Sequence, residues 1–91
     1  MEFEWDPRKA TLNLRKHRVS FAEAATVLSD EMGRTVYDPA HSIDEERYIT
    51  IGLSDRQRLL IVAHLDRGDR VRIISARELT RKERKDYEEA N

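Results

Sequence analysis

Arg58, His64, Ser75 and Arg77 are the side chains of this sequence whose types and spacing suit chemistry at a phosphate. An arginine offers parallel N–H groups to an anion, and a histidine moves protons near neutral pH. Hydroxyls at Thr50 and Ser54 and the ring of Tyr48 complete the inventory. The sequence contains no phosphate-cradling glycine loop, HExxH, nucleophile elbow or spaced metal cluster, so neither a metal nor a cofactor is expected. Internal cleavage of RNA fits such a set. The substrate brings its own 2′-hydroxyl nucleophile, and the protein has only to orient it, stabilise the phosphorane charge and move protons. The same residues would also suit binding RNA without cutting it.

The strands that must position these groups lie between Arg47 and Arg77. Ile49, Ile51 and Leu53 alternate with Tyr48, Thr50, Gly52 and Ser54, the period of a half-buried strand. A three-residue loop, Asp55 to Gln57, would set Leu59, Ile61, Ala63 and Leu65 beside the apolar side, leaving Arg58, Leu60, Val62 and His64 on the other. A four-residue loop from Asp66 to Asp69 would pair Leu65 with Arg70 and Arg58 with Arg77. In that register both arginines, Ser75 and His64 emerge on one face. Two opposed guanidiniums need an anion, either a phosphate between them or an internal carboxylate such as Glu46 or Glu83. A one-residue slip would bring Arg70 and Arg72 to this face instead.

Around this sheet, Phe3 and Trp5 suggest a short edge strand carrying two aromatics. Asp6-Pro7 starts a helix that should run to about Lys16 or His17, with Ala10, Asn13, Leu14 and His17 on one face. His17 is read first as a helix-terminal cation. Ser20 and Glu23 form a capping box opening a helix to about Ser29, with Phe21, Ala24, Ala25 and Leu28 as its buried stripe. Arg34 to Asp38 reads as a short strand ended by Pro39, and Ala40 to Glu46 as an acidic loop that leaves His41 exposed beside the sheet edge. Thr80 and Glu83 open a last helix, polar nearly all round, that is expected to dock weakly or to need a partner.

Ninety-one residues allow one domain, residues 1–91, with one small core. The absence of cysteine removes disulfides and any thiolate chemistry. No run is apolar enough for a membrane helix and the first residues are Glu-rich, so no membrane association is expected and the cytoplasm is the default location. The formal net charge of −1 gives the molecule no large basic field. Locally, Arg67, Arg70, Arg72, Arg77, Arg81, Lys82, Arg84 and Lys85 form a cationic run that reads as a backbone-binding footprint or as a solvated helix face.

The segments FEWDPRKATLNLRKHRVSFAEAATVLSD, HSIDEER, IGLS and RIISARELTRKERKDYE together resemble the BrnT toxins of bacterial type II toxin–antitoxin pairs, over nearly the whole chain. The resemblance implies an α+β, RelE-like fold, an antiparallel β-sheet with two N-terminal helices packed on it and a C-terminal helix. It implies a ribonuclease that halts translation, a BrnA-like ribbon-helix-helix antitoxin, and operator DNA reached indirectly through that antitoxin. Trp5, Arg58 or a near neighbour on its strand, and Arg77 are the motif matches expected to be functional. Lys16, His17, His41 and Glu46 also fall in family motifs, with structural roles open to them. His64 matches no motif and rests on strand parity. The expected site is therefore Arg77, Arg58 and His64 as catalytic residues, with Trp5, Lys16, Arg72 and Ser75 holding RNA. The rival readings are a non-catalytic antitoxin-binding regulatory module and a stand-alone RNA-binding domain.

Overall fold

The computed structural model describes residues 1–90. Its elements follow as β1 (Glu2–Glu4), α1 (Pro7–His17), α2 (Phe21–Val27), β2 (Arg34–Tyr37), a single 3-10 turn (Pro39–His41), β3 (Arg47–Leu53), β4 (Leu59–Arg67), β5 (Arg70–Glu78) and α3 (Arg81–Ala90). The strands form one sheet in the order β1-β5-β4-β3-β2. Every pairing is antiparallel except β1 with β5, which is parallel, so the α+β class holds and the sheet is mixed at one edge.

Local signals explain the helices. Asp6 accepts from the Arg8 amide at 2.8 Å and Pro7 takes the first helical position. At the other end Arg18, in the left-handed region at φ 60°, returns its N–H to the Leu14 carbonyl and stops α1. Ser20 caps α2 through the Glu23 amide at 3.0 Å, but the Glu23 carboxylate turns inward instead of closing the box. Helix α2 stops at Val27, and its buried residues are Phe21, Glu23, Ala24 and Val27.

The two helices cover one face of the sheet, and the core between them holds Val19, Phe21, Ala24, Val27, Leu60, Val62, Ile73 and Ala76. Each of the six larger ones, the alanines aside, contributes about 1.5–3 kcal/mol on burial. This is not the face that strand alternation favours. Thr50, Gly52 and Ser54 are buried under the helices, whereas Ile49, Ile51 and Leu53 lie on the opposite, open face. The inversion has a physical reason. A β-carbon at Gly52 would meet Val27 Cγ1 at 3.2 Å, so the missing side chain lets α2 approach. The buried polar groups satisfy each other: Thr50 Oγ1 lies 2.8 Å from His64 Nε2, and Ser54 Oγ donates to Glu23 at 2.7 Å.

The β3–β4 hairpin has the expected three-residue loop and pairs Ile49 with Ala63, Ile51 with Ile61 and Leu53 with Leu59. The β4–β5 turn is shorter than expected. Gly68, at φ 65°, and Asp69 make a two-residue connection, so Arg67 faces Arg70. A second departure has more consequence. His64 pairs with Ile73 but Ala63 pairs with Ser75, so Ile74 is an extra, bulged residue. Beyond it the parity of β5 inverts. Ser75 and Arg77 therefore emerge on the open face, opposite Ala63 and Ile61, while Arg58 and His64 stay on the helix-covered face. The expected clustering of all four on one face is thus corrected by one inserted residue.

Asn13 closes the part of the β5 edge that β1 does not reach. Its side chain accepts from the Ala76 amide at 3.0 Å and donates to the Ala76 carbonyl at 2.8 Å, the exchange a neighbouring strand would make. It also donates to the Val19 carbonyl at 2.9 Å. One buried side chain thereby fixes how α1 is rotated against the sheet.

Candidate functional site

On the open face, Ile49, Ile61 and Ala63 floor a shallow cleft of about 200 Å³ rimmed by Asp38, His41, Arg47, Ser75 and Arg77. Strands β3, β4 and β5 supply the floor and the arginines, and the 3-10 turn after β2 supplies the histidine. Asp38 and Ser42 hold that turn against the sheet. The Asp38 amide donates to the Arg47 carbonyl at 2.8 Å, and Ser42 Oγ accepts from the Arg47 amide at 2.9 Å.

His41 Nδ1 lies 2.8 Å from Asp38 Oδ2. An ionised carboxylate only accepts, so Nδ1 carries a proton, and in the neutral ring it is Nε2 that keeps the lone pair. The ring is 66% exposed, which keeps that nitrogen accessible from solvent. This is the orientation a carboxylate imposes on a histidine acting as general base.

Arg77 forms a two-point fork with Glu83, at 2.8 and 3.0 Å, and also donates to the Glu78 carbonyl at 3.2 Å. The hydrogen bond from Arg77, followed by the one from the Thr80 amide, pulls the Glu83 carboxyl down to about 2. The same fork raises Arg77. Of the internal carboxylates considered from the sequence, Glu83 is the one that meets Arg77, while Glu46 bonds to Tyr48 at 3.4 Å. Nε and one NH2 hydrogen of Arg77 remain for an anion. Arg47 makes no side-chain ion pair or hydrogen bond among the described residues, leaving a cation on the cleft rim without a bonded partner.

The other expected site residues are placed elsewhere. Arg58 is locked under α2, donating through Nε to Glu23 at 3.0 Å and through NH2 to both Glu23 and the Arg18 carbonyl, the latter at 3.0 Å. That ion pair lowers Glu23 and raises Arg58. His64, with a side chain 5% exposed, bridges Thr50 and Asp66 and stacks on Tyr48 at 6.1 Å. Trp5 meets Phe21 edge-on at 6.0 Å on the helix side. Arg72 is paired with Glu4 at 2.9 Å. Lys16 is exposed on α1 and shares with Ser75 a second groove next to the cleft. Of the seven expected residues, then, the cleft gathers Arg77 and Ser75 and borders Lys16.

Arg47 and the His41–Asp38 pair are the cleft groups that strand parity did not pick out. The signal was present in HSIDEER, whose first and last residues are His41 and Arg47. The 3-10 turn folds this segment back so that both ends reach the same cleft. Among the described residues no cluster of three or more His, Asp or Glu is arranged to hold a metal ion. No helix among them is long and apolar enough to cross a membrane.

Comparison with known proteins gives a consistent picture. The model of the family described as the ribonuclease toxin BrnT of type II toxin–antitoxin systems matches residues 5–83. The crystal structure of the Brucella abortus ribonuclease toxin BrnT is similar, with a TM-score of 0.65 and 25% sequence identity, covering 89% of this chain and 99% of that one. No curated protein matches the chain.

Proposed function

The chain belongs to the BrnT ribonuclease toxins of type II toxin–antitoxin systems, and from that premise we propose that it is a metal-independent endoribonuclease whose working surface is the open-face cleft. The observation that carries this reading is the convergence of Arg47, Arg77 and the carboxylate-oriented His41 on one accessible apolar floor. Nε2 of His41 takes the proton of the substrate 2′-hydroxyl. The 2′-oxygen then bonds to phosphorus as the P–O5′ bond breaks, leaving a 2′,3′-cyclic phosphate and a 5′-hydroxyl protonated from solvent. Arg47 and the free edge of Arg77 face the charge that develops on the phosphorane oxygens, where preorganised donors act most strongly. Ser75 supplies a hydroxyl to the substrate backbone. The substrate carries its own nucleophile and the arginines supply the positive charge, so the scheme has no step that calls for a metal.

In the cell this activity would cut RNA and inhibit translation in the cytoplasm. A BrnA-like ribbon-helix-helix antitoxin would neutralise it, and the complex would repress its own operon. A second reading, a non-catalytic antitoxin-binding regulatory module or RNA-binding domain, draws support from the Glu83 fork, which occupies one edge of Arg77 in the resting protein. Incubating the purified chain with a defined RNA in excess chelator separates the two. The expected products end in 2′,3′-cyclic phosphate, and a position whose 2′-hydroxyl is replaced by hydrogen is not cut. Intact RNA in the presence of folded protein would establish the second reading.

A further inference from the structure

The cationic run from Arg67 to Lys85 suggests a backbone-binding surface by sequence, but much of it is neutralised. Arg67 pairs with Glu45, Arg70 and Arg72 with Glu4, Arg77 with Glu83 and Lys82 with Asp86. Helix α1 is the opposite case. No acidic residue occurs between Pro7 and Ala22, a stretch that holds Arg8, Lys9, Arg15, Lys16 and Arg18. None of these five side chains forms an ion pair among the described residues. Cations without an ion pair among the described residues also stand elsewhere, as at Arg47, Arg81, Arg84 and Lys85, but α1 and its C-cap carry five of them with no acidic residue interspersed.

Its arrangement is fixed by Asn13. Lys9, Leu12, Asn13 and Lys16 follow the i, i+3, i+4, i+7 spacing of one helical stripe. Because Asn13 is hydrogen-bonded to the β5 edge, that stripe is turned toward the sheet margin. The result is a groove lined by Lys9, Lys16, His17, Ile74 and Ser75. Ile74 and Ser75 also line the open-face cleft, so the two depressions meet at the β5 bulge. Along the helix the two lysines are about 10 Å apart, and their flexible stems let both reach one strand's backbone.

We propose that this groove is a phosphate track for single-stranded RNA, holding nucleotides that flank the cleaved bond, an inference that rests on the ribonuclease reading of the cleft. Lysine is a compact charge on a flexible stem, suited to phosphates, and phosphate contacts carry no sequence information. The track is accordingly sequence-independent. Leu12, 60% exposed between the lysines, offers apolar surface to a base. An RNA is favoured over an acidic protein segment because the groove opens into the cleft where the scissile phosphate would lie.

The test is binding of a 2′-O-methyl RNA oligomer, which keeps its phosphates but cannot be cleaved, measured across salt concentrations for two double variants. K9Q/K16Q removes the track, and R8Q/R15Q removes the same charge from a different stripe of the same helix. Surface changes of this kind leave stability nearly unaltered, which thermal melting checks. The expected result is that K9Q/K16Q loses tenfold or more in affinity, with the slope of log affinity against log salt reduced by about 1.4, the value for two single-strand phosphate contacts. R8Q/R15Q should stay within about threefold of the parent. Equal losses in the two variants would overturn the proposal in favour of a diffuse field. Unchanged RNA binding by K9Q/K16Q, with weakened antitoxin binding, would overturn it in favour of a protein partner. Cleavage of ordinary RNA by the unmodified chain, measured in parallel, keeps the two readings apart. A chain that binds with the expected slope but does not cut removes the nuclease and leaves the track, whereas a chain that cuts while K9Q/K16Q binds normally removes only the track.

Discussion

Two histidines in similar hydrogen-bonded settings are assigned different work by their burial. His41 is exposed and oriented by Asp38, whereas His64 is enclosed between Thr50 and Asp66. His41→Gln is expected to lower the cleavage rate by about 10²–10⁴-fold, the usual contribution of a positioned base. His64→Gln should instead lower the melting temperature while cleavage by the folded fraction persists. Arg58 belongs with His64. Replacing it by Met strands the buried Glu23 carboxylate, and breaking a buried pair in this way costs about 3–5 kcal/mol, read by denaturant unfolding. Glu83 gives a pH signature. Its carboxyl titrates near 2 in the folded chain against an ordinary value of 4.5, so the contribution of the Arg77 fork is complete above 4.5 and is lost as pH falls toward 2. Glu83→Gln should flatten the melting-temperature profile across that window.

At the scale of elements, α3 is held by the Arg77 fork, a hydrogen bond from Tyr87 Oη to the Met32 carbonyl at 3.2 Å, and one from Arg34 to the Ala90 carbonyl at 3.0 Å, with no buried residue. Its amides should exchange fastest among the helices. Antitoxin binding that covers this face is expected to slow that exchange and raise the melting temperature by mass action. A raised melting temperature with unchanged exchange in α3 at saturating antitoxin would show that the partner binds elsewhere. Capping residues, the α1 and α2 starts and the β3–β4 register were legible because Asp6-Pro7, Ser20 and the length of the Asp55–Gln57 loop act locally. The face chosen for the core was not. Thr50, Ser54, Glu23 and His64 are polar, and only the hydrogen bonds among them and to Arg58 and Asp66 make their burial tolerable. The Ile74 bulge was equally invisible. Its bulky apolar side chain reads as an ordinary strand residue, yet it moves Arg77 and Ser75 to the other side of the sheet.

For the molecule as a whole, the sheet divides labour between its faces. The helix-covered face carries the core together with Arg58 and His64, and the open face carries the cleft rimmed by Arg47 and Arg77, with the α1 groove beside it and α3 crossing one margin. A formal net charge of −1 coexists with this because acidic partners cancel much of the β5 and α3 charge while α1 is left unbalanced. The central claim, that the open face performs the cleavage, is tested most directly by the rate at which Arg77→Ala cuts a defined RNA under saturating conditions, with thermal unfolding of the same protein. The expected result is a loss of about a hundredfold or more with the fold retained, and only partial recovery in Arg77→Lys, whose ammonium keeps the charge but lacks the planar two-point fork. Cleavage at the parental rate by a folded Arg77→Ala protein would contradict the claim.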